Sequence, residues 1–540
     1  MDTLDNTDWD VVISGTGLPQ SLLALALSRS GKKILHTDEN RYYGGAAAAF
    51  SITEAEEWVA KVNQGFFNGA FDEASIYEPE ASESDPTTLL RKIGRHYNLA
   101  LAPAIMYSSS AFRRYLFTSR VYHYVELRPV SGWWVYSPEG STTGTFKKIP
   151  SVREELIGNK ELSFSVKRRL IKITRFVMEY ENDVAKSQWE PYRLLPFTAF
   201  LSAVFKPQPE LLAPLFALTM SSESPESLTT EAALPRLARH IRSLQGRHGN
   251  WPALIPKYGG LDEFCQLACR ACAVGGGVYV LEKGLSTSAG SVSTVRIPVE
   301  TPQEGYSAGE DGSDAHKDPA AADASATGQP RVKLQLQDGE AITARWVVGE
   351  SSPDQTPDPN CKSISIVSSP LSTLFPKIKV DEDENKVPIP TASAIFFYPS
   401  RSLQLPECTN TSPVHIHVHS SASGECPAGQ SILYASTSMS GKSGFELLKH
   451  ATSLFLDSID DVPAPRILWS MQYEQRALPL AKPLPLPDGA AAHFLGLPSA
   501  SLDLPVDDTM FEHVRKVWRT ITDDDSEQFL DFPERNDDDL

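Results

Sequence analysis

The chain has 540 residues, 41% of them hydrophobic and 22% charged, ordinary values for a globular protein and enough length for more than one domain. Its formal net charge of −18 argues against nucleic acid or anionic membrane as a primary partner, since both are bound through excess Lys and Arg; it is compatible with a partner that presents basic surface. Six cysteines are too few for a disulfide scaffold. No window approaches the ~18 apolar residues of a membrane span. The opening Met1–Asp10 is acidic where a signal peptide is basic, and the closing Asp537-Asp538-Asp539-Leu540 carries no prenylation box. A cytosolic protein is expected.

The first 50 residues read as strand, turn, helix, strand. Val11-Val12-Ile13 is a β-branched run, Gly15-Thr16-Gly17 a turn, Ser21 to Ser30 a Leu/Ala-rich helix stopped at Gly31, and Ile34-Leu35 a second strand. So compact a unit implies a parallel sheet. Gly15 and Gly17 after a strand, with Asp38 at the end of the next strand, form the context of a dinucleotide fingerprint. The third glycine is replaced by Gln20, so the helix must stand off the strand or the Gln20 side chain must turn outward. The motif therefore predicts the fold and counts against the cofactor.

Residues 151–250 change character. Val166, Leu170, Ile173 and Val177 recur at helical spacing, as do Leu234, Leu237, Ile241 and Leu244. Pro191 to Met220 between them is rich in Leu and Phe, including Phe200, Leu201, Leu215 and Phe216. Two readings stay open here, a plain bundle core and an expandable apolar pocket between helices. From about residue 258 the pattern is mixed α/β again. Cys265, Cys269 and Cys272, at i, i+4 and i+7, fall on one helix face and read as buried thiols. Residues 301–330 are Gly/Ser/Ala/Asp-rich and read as a disordered insertion into a hairpin, whose strand Arg331–Gln337 leads to the turn Asp338-Gly339.

His415, His417 and His419 alternate on a strand and share one side, where they could hold zinc or copper. No carboxylate or thiol pattern beside them completes a site, and a half-exposed strand without metal is preferred. Residues 523–540 form an acidic run, expected to be a solvated tail, in which Phe529, Leu530 and Phe532 are out of place. Neither Gly-x-Ser-x-Gly nor a P-loop occurs, so no catalysis by this chain is expected.

Several separate blocks, in order, carry a family resemblance. Asp10 to Ser21, Gly31 to Asp38 and Tyr42-Tyr43-Gly44-Gly45 resemble the opening motif shared by Rab GDP-dissociation inhibitors and Rab escort proteins. Tyr258 to Leu281, Tyr122 to Tyr136 with Lys148-Ile149-Pro150-Ser151, and Arg168 to Glu181 resemble further blocks of the same family. Pro19 and Ser21 within Gly17-Leu18-Pro19-Gln20-Ser21, together with the length, are closer to the escort branch.

The resemblance implies an α/β, flavoprotein-like fold of the FAD/NAD(P)-binding type without flavin, with an inserted all-helical subdomain. Residues 1–150 and 251–520 would form the Rab-binding part and 151–250 the lipid-binding helices. It implies a platform for GDP-bound Rab at Tyr43, Glu263, Arg270 and Val278, where the family often has Thr at the last position. A mobile loop at Gly246–Lys257, with Trp251 and Leu254, and a groove lined by Val121, Tyr124, Val125 and Val130 would take the GTPase's C-terminus; Trp133 or Trp134 belongs either to the groove or to the core. Phe200, Leu201, Leu215 and Phe216 would hold the geranylgeranyl lipid. The implied partners are Rab GTPases, the catalytic heterodimer of Rab geranylgeranyltransferase and, transiently, membranes, with no cofactor and no metal. A GDP-dissociation inhibitor and a flavin-dependent oxidoreductase are the alternatives.

Overall fold

The computed structural model describes residues 3–79, 90, 93–138, 144–150, 158, 162–244, 251–297, 329–375, 377–378, 389–405, 409–487, 489–523 and 528–533. Among these the helices are α1 (Leu18–Leu27), α2 (Ile52–Asn63), α3 (Ala111–Thr118), α4 (Phe164–Met178), α5 (Asp183–Trp189), α6 (Phe197–Val204), α7 (Pro209–Ala217), α8 (Thr230–Leu244), α9 (Leu261–Val274), α10 (Gly441–Asp457) and α11 (Thr509–Thr522).

The expected strand-helix-strand opens the chain. Thr7–Ser14 lies between Ile34–Thr37 and Ala341–Glu350 in one sheet, parallel to both. Val278–Val280 continues the sheet beyond Ile34–Thr37, also in parallel. On the other side Ala341–Glu350, Gln329–Gln335 and Val292–Ile297 run antiparallel, which is the hairpin expected around Asp338-Gly339; residues 301–328 of the expected insertion lie outside the described residues. α1 is apolar on nearly every side and every one of its residues is buried, because the sheet, α9 and α11 enclose it. Cys265, Cys269 and Cys272 form the buried side of α9, as their spacing predicts.

The acidic C-terminal run departs from expectation. Phe529, Leu530 and Phe532 are buried in the core around α1 and α11. Phe532 N–H donates to Thr118 O at 3.0 Å, Thr118 Oγ1 donates to Leu530 O at 2.7 Å, and the Arg29 guanidinium lies 4.3 Å above the Phe532 ring. Burying an aromatic is worth ~1.5–3 kcal/mol, which outweighs the solvation preference of the acids around it. Residues 524–527 and 534–540 of that run lie outside the described residues.

A second, larger sheet runs in the order Phe71–Tyr77, Ile467–Gln475, Asn360–Val367, Ser431–Thr437, Val414–Ser420, Ser393–Tyr398, Leu127–Ser137, Ala253–Pro256, Met106–Tyr107. α10 covers one part of it through Leu447, Leu448 and Phe455. The helices α4, α6, α7 and α8 pack against Trp133, Ile395 and Phe397 in another part. Val166, Ile173 and Val177 of α4, and Leu234, Leu237 and Ile241 of α8, are the buried residues that their spacing predicts.

Candidate functional site

The strand Thr7–Ser14 ends at Gly15, and α1 begins three residues later with Pro19 in its first turn, where a missing N–H costs nothing. Gln20 does not turn outward. It is 1% exposed and folds back over the glycine turn, so that a Cβ on Gly17 would lie 2.8 Å from Gln20 Oε1. The inward rotamer is held by Glu350, a buried carboxyl that accepts hydrogen bonds from Gln20 and from Leu480 N–H, the latter at 2.9 Å. Burial raises the pKa of Glu350.

Asp38 is equally committed. Its Oδ2 accepts from Thr16 N–H and Thr16 Oγ1, both at 2.7 Å, and its Oδ1 from Asn40 N–H at 2.8 Å and Asn40 Nδ2 at 3.0 Å. The adjoining cleft has a volume of about 610 Å³ and is walled by this turn, by Glu39 and Glu350, and by the segment 479–484. Leu480 of that segment lies against Gly45, 3.2 Å from where a Cβ there would stand. A dinucleotide needs the turn's amides for its pyrophosphate and a free acid for its ribose. Here Gln20 overlies the turn, Asp38 is saturated, and Glu39 and Glu350 add negative groups. The residues do not fit a dinucleotide.

On the far side of α9 lies a different surface. Asp262, in the first turn of α9, is buried against the loop Tyr42-Tyr43-Gly44-Gly45. Gly44 has φ +89°, and a Cβ there would stand 2.6 Å from Asp262 Oδ1, so only glycine lets the loop close on the helix. Burial pushes the Asp262 carboxyl up to about 7. Tyr43 in that loop is half-buried, its ring 6.3 Å from that of Tyr279 on the strand Val278–Val280. Burial raises the pKa of the half-buried Glu263. Arg270 is exposed and has no hydrogen-bond or ion-pair partner among the described residues. Val274, one turn further along α9, and Val278, on the strand Val278–Val280, are exposed as well. The four residues singled out in the sequence thus stand on adjoining elements, with the thiols of α9 turned inward.

The groove residues are brought together less well. Tyr124 is exposed and Val125 half-buried, but Val121 and Val130 are buried in two different core clusters and cannot line an open groove. Trp133 is core, stacked edge-on to His240, and Trp134 stacks on Phe396. The loop expected at Gly246–Lys257 is half strand: Ala253–Pro256 pairs with Met106–Tyr107 and with Leu127–Pro129, because its alternating apolar residues satisfy two sheet edges at once. Trp251 and Leu254 are half-buried, and residues 246–250 lie outside the described residues.

Of the two readings of the helical Leu/Phe excess, the structure has the closed one. Phe200, Leu201, Leu215 and Phe216 are all less than 5% exposed. Phe200 meets the rings of Phe176, Tyr192, Phe197 and Phe205, and Phe216 meets Phe397 of the sheet.

The histidine strand is another correction. Every residue of Val414–Ser420 is buried, so the strand is not half-exposed, and a carboxylate does stand beside it. His417 Nδ1–H donates to Pro103 O at 2.8 Å, which leaves Nε2 as an acceptor with Ser393 Oγ and, at 3.0 Å, His419 Nε2 beside it. Glu425 Oε2 is 2.6 Å from His419 Nδ1. His417 and His419 are spent on one another and on the chain, while His415 packs against the Phe397 ring with its buried Nε2 unpaired; burial lowers the pKa of His417 and pushes His415 down to about 4. No group of three or more His, Cys, Asp or Glu placed to hold a metal is found among the described residues.

Sequence reasoning missed Asp262, Glu350 and Lys362. The signal for Lys362 was present, a lysine in the middle of the strand Asn360–Val367, all of whose residues but one are buried.

A parallel-sheet scaffold whose nucleotide turn is covered from within defines a flavoprotein-like fold. The chain belongs to the GDP dissociation inhibitor family, whose model matches residues 5–301, more than half of it. It is 31% identical over 278 residues to Rab proteins geranylgeranyltransferase component A of Saccharomyces cerevisiae, covering 51% of this chain and 43% of that protein. The chain spans about half the length of the curated relatives it matches. Its fold matches a crystal structure of Rab GDI from Plasmodium falciparum with a TM-score of 0.60 at 19% identity, covering 96% of this chain and 98% of that one. It also matches an oxidoreductase from Methanosarcina mazei with a TM-score of 0.53 at 12% identity, over 94% and 99% of the two chains. The flavoprotein-like α/β fold is therefore shown.

Proposed function

We propose that this chain is a Rab escort protein, a non-catalytic accessory that binds GDP-loaded Rab GTPases, presents them to Rab geranylgeranyltransferase and carries the prenylated product to membranes. The observation that carries the reading is Arg270: exposed, without a partner among the described residues, and set on the face that the family resemblance assigns to the GTPase. An arginine fork can take a carboxylate bidentately, and Tyr43 and Val278 add apolar contact around it. A carrier is needed because each methylene left in water costs ~0.8 kcal/mol, which two C20 chains multiply many times over.

The helices α4–α8 would supply the lipid site. Since Phe200, Leu201, Leu215 and Phe216 are closed together, the lipid must part the helices to enter. The same layer offers a surface for the transferase: α4 exposes Phe164 and Ile171 together with Arg168, Lys172 and Arg175, a basic and apolar face on an acidic protein. Transient delivery to membranes from the cytosol fits a chain in which no described helix is long and apolar enough to span a bilayer. A GDP-dissociation inhibitor would use the same platform but would not support prenylation. Titration of a Rab lacking its tail cysteines, loaded with GDP or with GTP, tests the platform. Tighter binding of the GDP form supports the reading, and no binding of either form removes it.

A further inference from the structure

A second cavity, of about 110 Å³ and partly open, adjoins the outer cleft and shares Gly17 and Glu350 with it. It lies where the start of α1 faces the large sheet, and the segment 498–510 forms a further wall. Its wall is mainly apolar, with Leu18, Leu101, Ile364, Tyr473, Leu502 and Met510. Two features give it positive potential. The first is the N-terminus of α1: Gly17 caps the helix without any side-chain hydrogen bond, and Leu18 and Pro19 border the cavity.

The second is Lys362. It sits in the strand Asn360–Val367, is 9% exposed and borders the cavity. Its ammonium has no hydrogen-bond or ion-pair partner among the described residues. Asp503, on the same wall, is the one charge that acts on it, and Asp503 is already committed. Its Oδ2 pairs with Arg236 at 2.6 Å and its Oδ1 accepts from Ser222 Oγ at 3.0 Å. Lys362 is the one cation bordering the cavity among the described residues, and Asp503, shared with Arg236, gives it no dedicated counter-ion. The other titratable groups here are Asp507, whose carboxylate is committed to Thr509 N–H at 3.0 Å and Thr509 Oγ1 at 2.7 Å, Tyr434 and Tyr473, whose pKa values burial raises, Glu350 on the wall shared with the outer cleft, and His415, pushed down to about 4 and hence neutral.

A buried, unpaired cation is costly, and proteins rarely keep one without use. We propose that this cavity binds a small aliphatic monocarboxylate, its carboxylate against Lys362 Nζ and the first turn of α1, its hydrocarbon among Leu101, Ile364, Leu502 and Met510. Size sets the class. A dry cavity of ~150 Å³ accommodates benzene, so this one suits an acid of about three or four carbons. A phosphate ester or a dinucleotide fragment would leave most of its polar oxygens against apolar wall.

The test is titration of the full chain with propionate, followed by saturation-transfer NMR and by the shift in melting temperature, with propionamide as the neutral control. Propionate should bind saturably to the wild type and propionamide should not. Lys362→Met should weaken propionate binding at least tenfold; it exchanges a buried charge for a side chain of similar length, so the variant should fold. Burial lowers the Lys362 pKa to about 8, so in the wild type itself affinity should fall as pH rises from 7 to 9. Equal binding by Lys362→Met, equal binding of the amide, a flat pH profile, or no saturable binding at tens of millimolar would each overturn the assignment.

Discussion

Asp38 Oδ2 accepts hydrogen bonds from both the backbone N–H and the hydroxyl of Thr16, each 2.7 Å long, and so ties the end of one strand to the turn after its neighbour. The acid that a dinucleotide fold reserves for a ribose serves here as an internal clasp. Asp38→Ala would strand the buried amides of Thr16 and Asn40 at ~1–3 kcal/mol each, so a total loss of roughly 3 kcal/mol is expected by chemical denaturation. A loss below about 1 kcal/mol would show that water replaces the clasp. Added FAD should leave the melting temperature of the wild type unchanged, since neither the turn nor the acid is available to it.

The Asp262 carboxyl, pushed up to about 7 by burial, has its sign fixed by linkage. A folded pKa above the unfolded value means that the folded state holds the proton more tightly. The stability it contributes is fully present below the unfolded pKa near 4 and is lost as pH rises towards 7. Asp262→Asn should therefore flatten that stretch of the pH–stability curve and melt higher than the wild type at pH 8. Melting curves of both proteins at pH 5 and pH 8 check this; parallel curves would mean that Asp262 ionises freely in the folded chain.

Lipid capture has to open a closed core. Binding of a geranylgeranylated peptide should increase amide-hydrogen exchange in α6 and α7, where Phe200, Leu201, Leu215 and Phe216 meet, while the strand Thr7–Ser14 stays protected. Binding without any change in α6 and α7 would place the lipid outside these helices. Phe200→Ala, which deletes a ring enclosed by four others, should cost ~3–5 kcal/mol and serves as the core control.

Periodic elements were legible in the sequence and long-range closures were not. The Val11–Ile13 strand, α1, the helical stretches of α4 and α8 and the inward thiols of α9 follow from local pattern: the first two are apolar almost throughout and buried throughout, and the others bury the one face that their spacing marks. Gln20 was misjudged because its inward rotamer depends on Glu350, 330 residues away. His415, His417 and His419 were misjudged because alternation cannot tell a half-exposed strand from one covered on both faces. Val121 and Val130 read as groove residues, but Val121, in the 3-10 turn after α3, is buried in the core around α1, and Val130, on the strand Leu127–Ser137, is buried under the helical layer. Phe529 and Phe532 were noticed as odd, yet the core that receives them forms only when α11 meets α1.

Arg270→Ala should weaken the binding of GDP-loaded, unprenylated Rab by ~1–3 kcal/mol, the range for losing a charge-assisted contact at an interface. An exposed arginine without a partner contributes little to folding, so the melting temperature should hardly move. Affinity by calorimetric titration, measured beside the melting curve, separates the two effects. Unchanged affinity would move the platform off α9.

The most direct measurement is transfer of a labelled geranylgeranyl group to a GDP-loaded Rab by the purified catalytic heterodimer of the transferase, with and without this chain. The account predicts that transfer depends on the chain, saturates near one chain per Rab, and falls with Arg270→Ala at sub-saturating concentrations. Equal transfer in its absence, or none in its presence although Rab binds, would contradict the escort assignment; the second result would leave a GDP-dissociation inhibitor in its place.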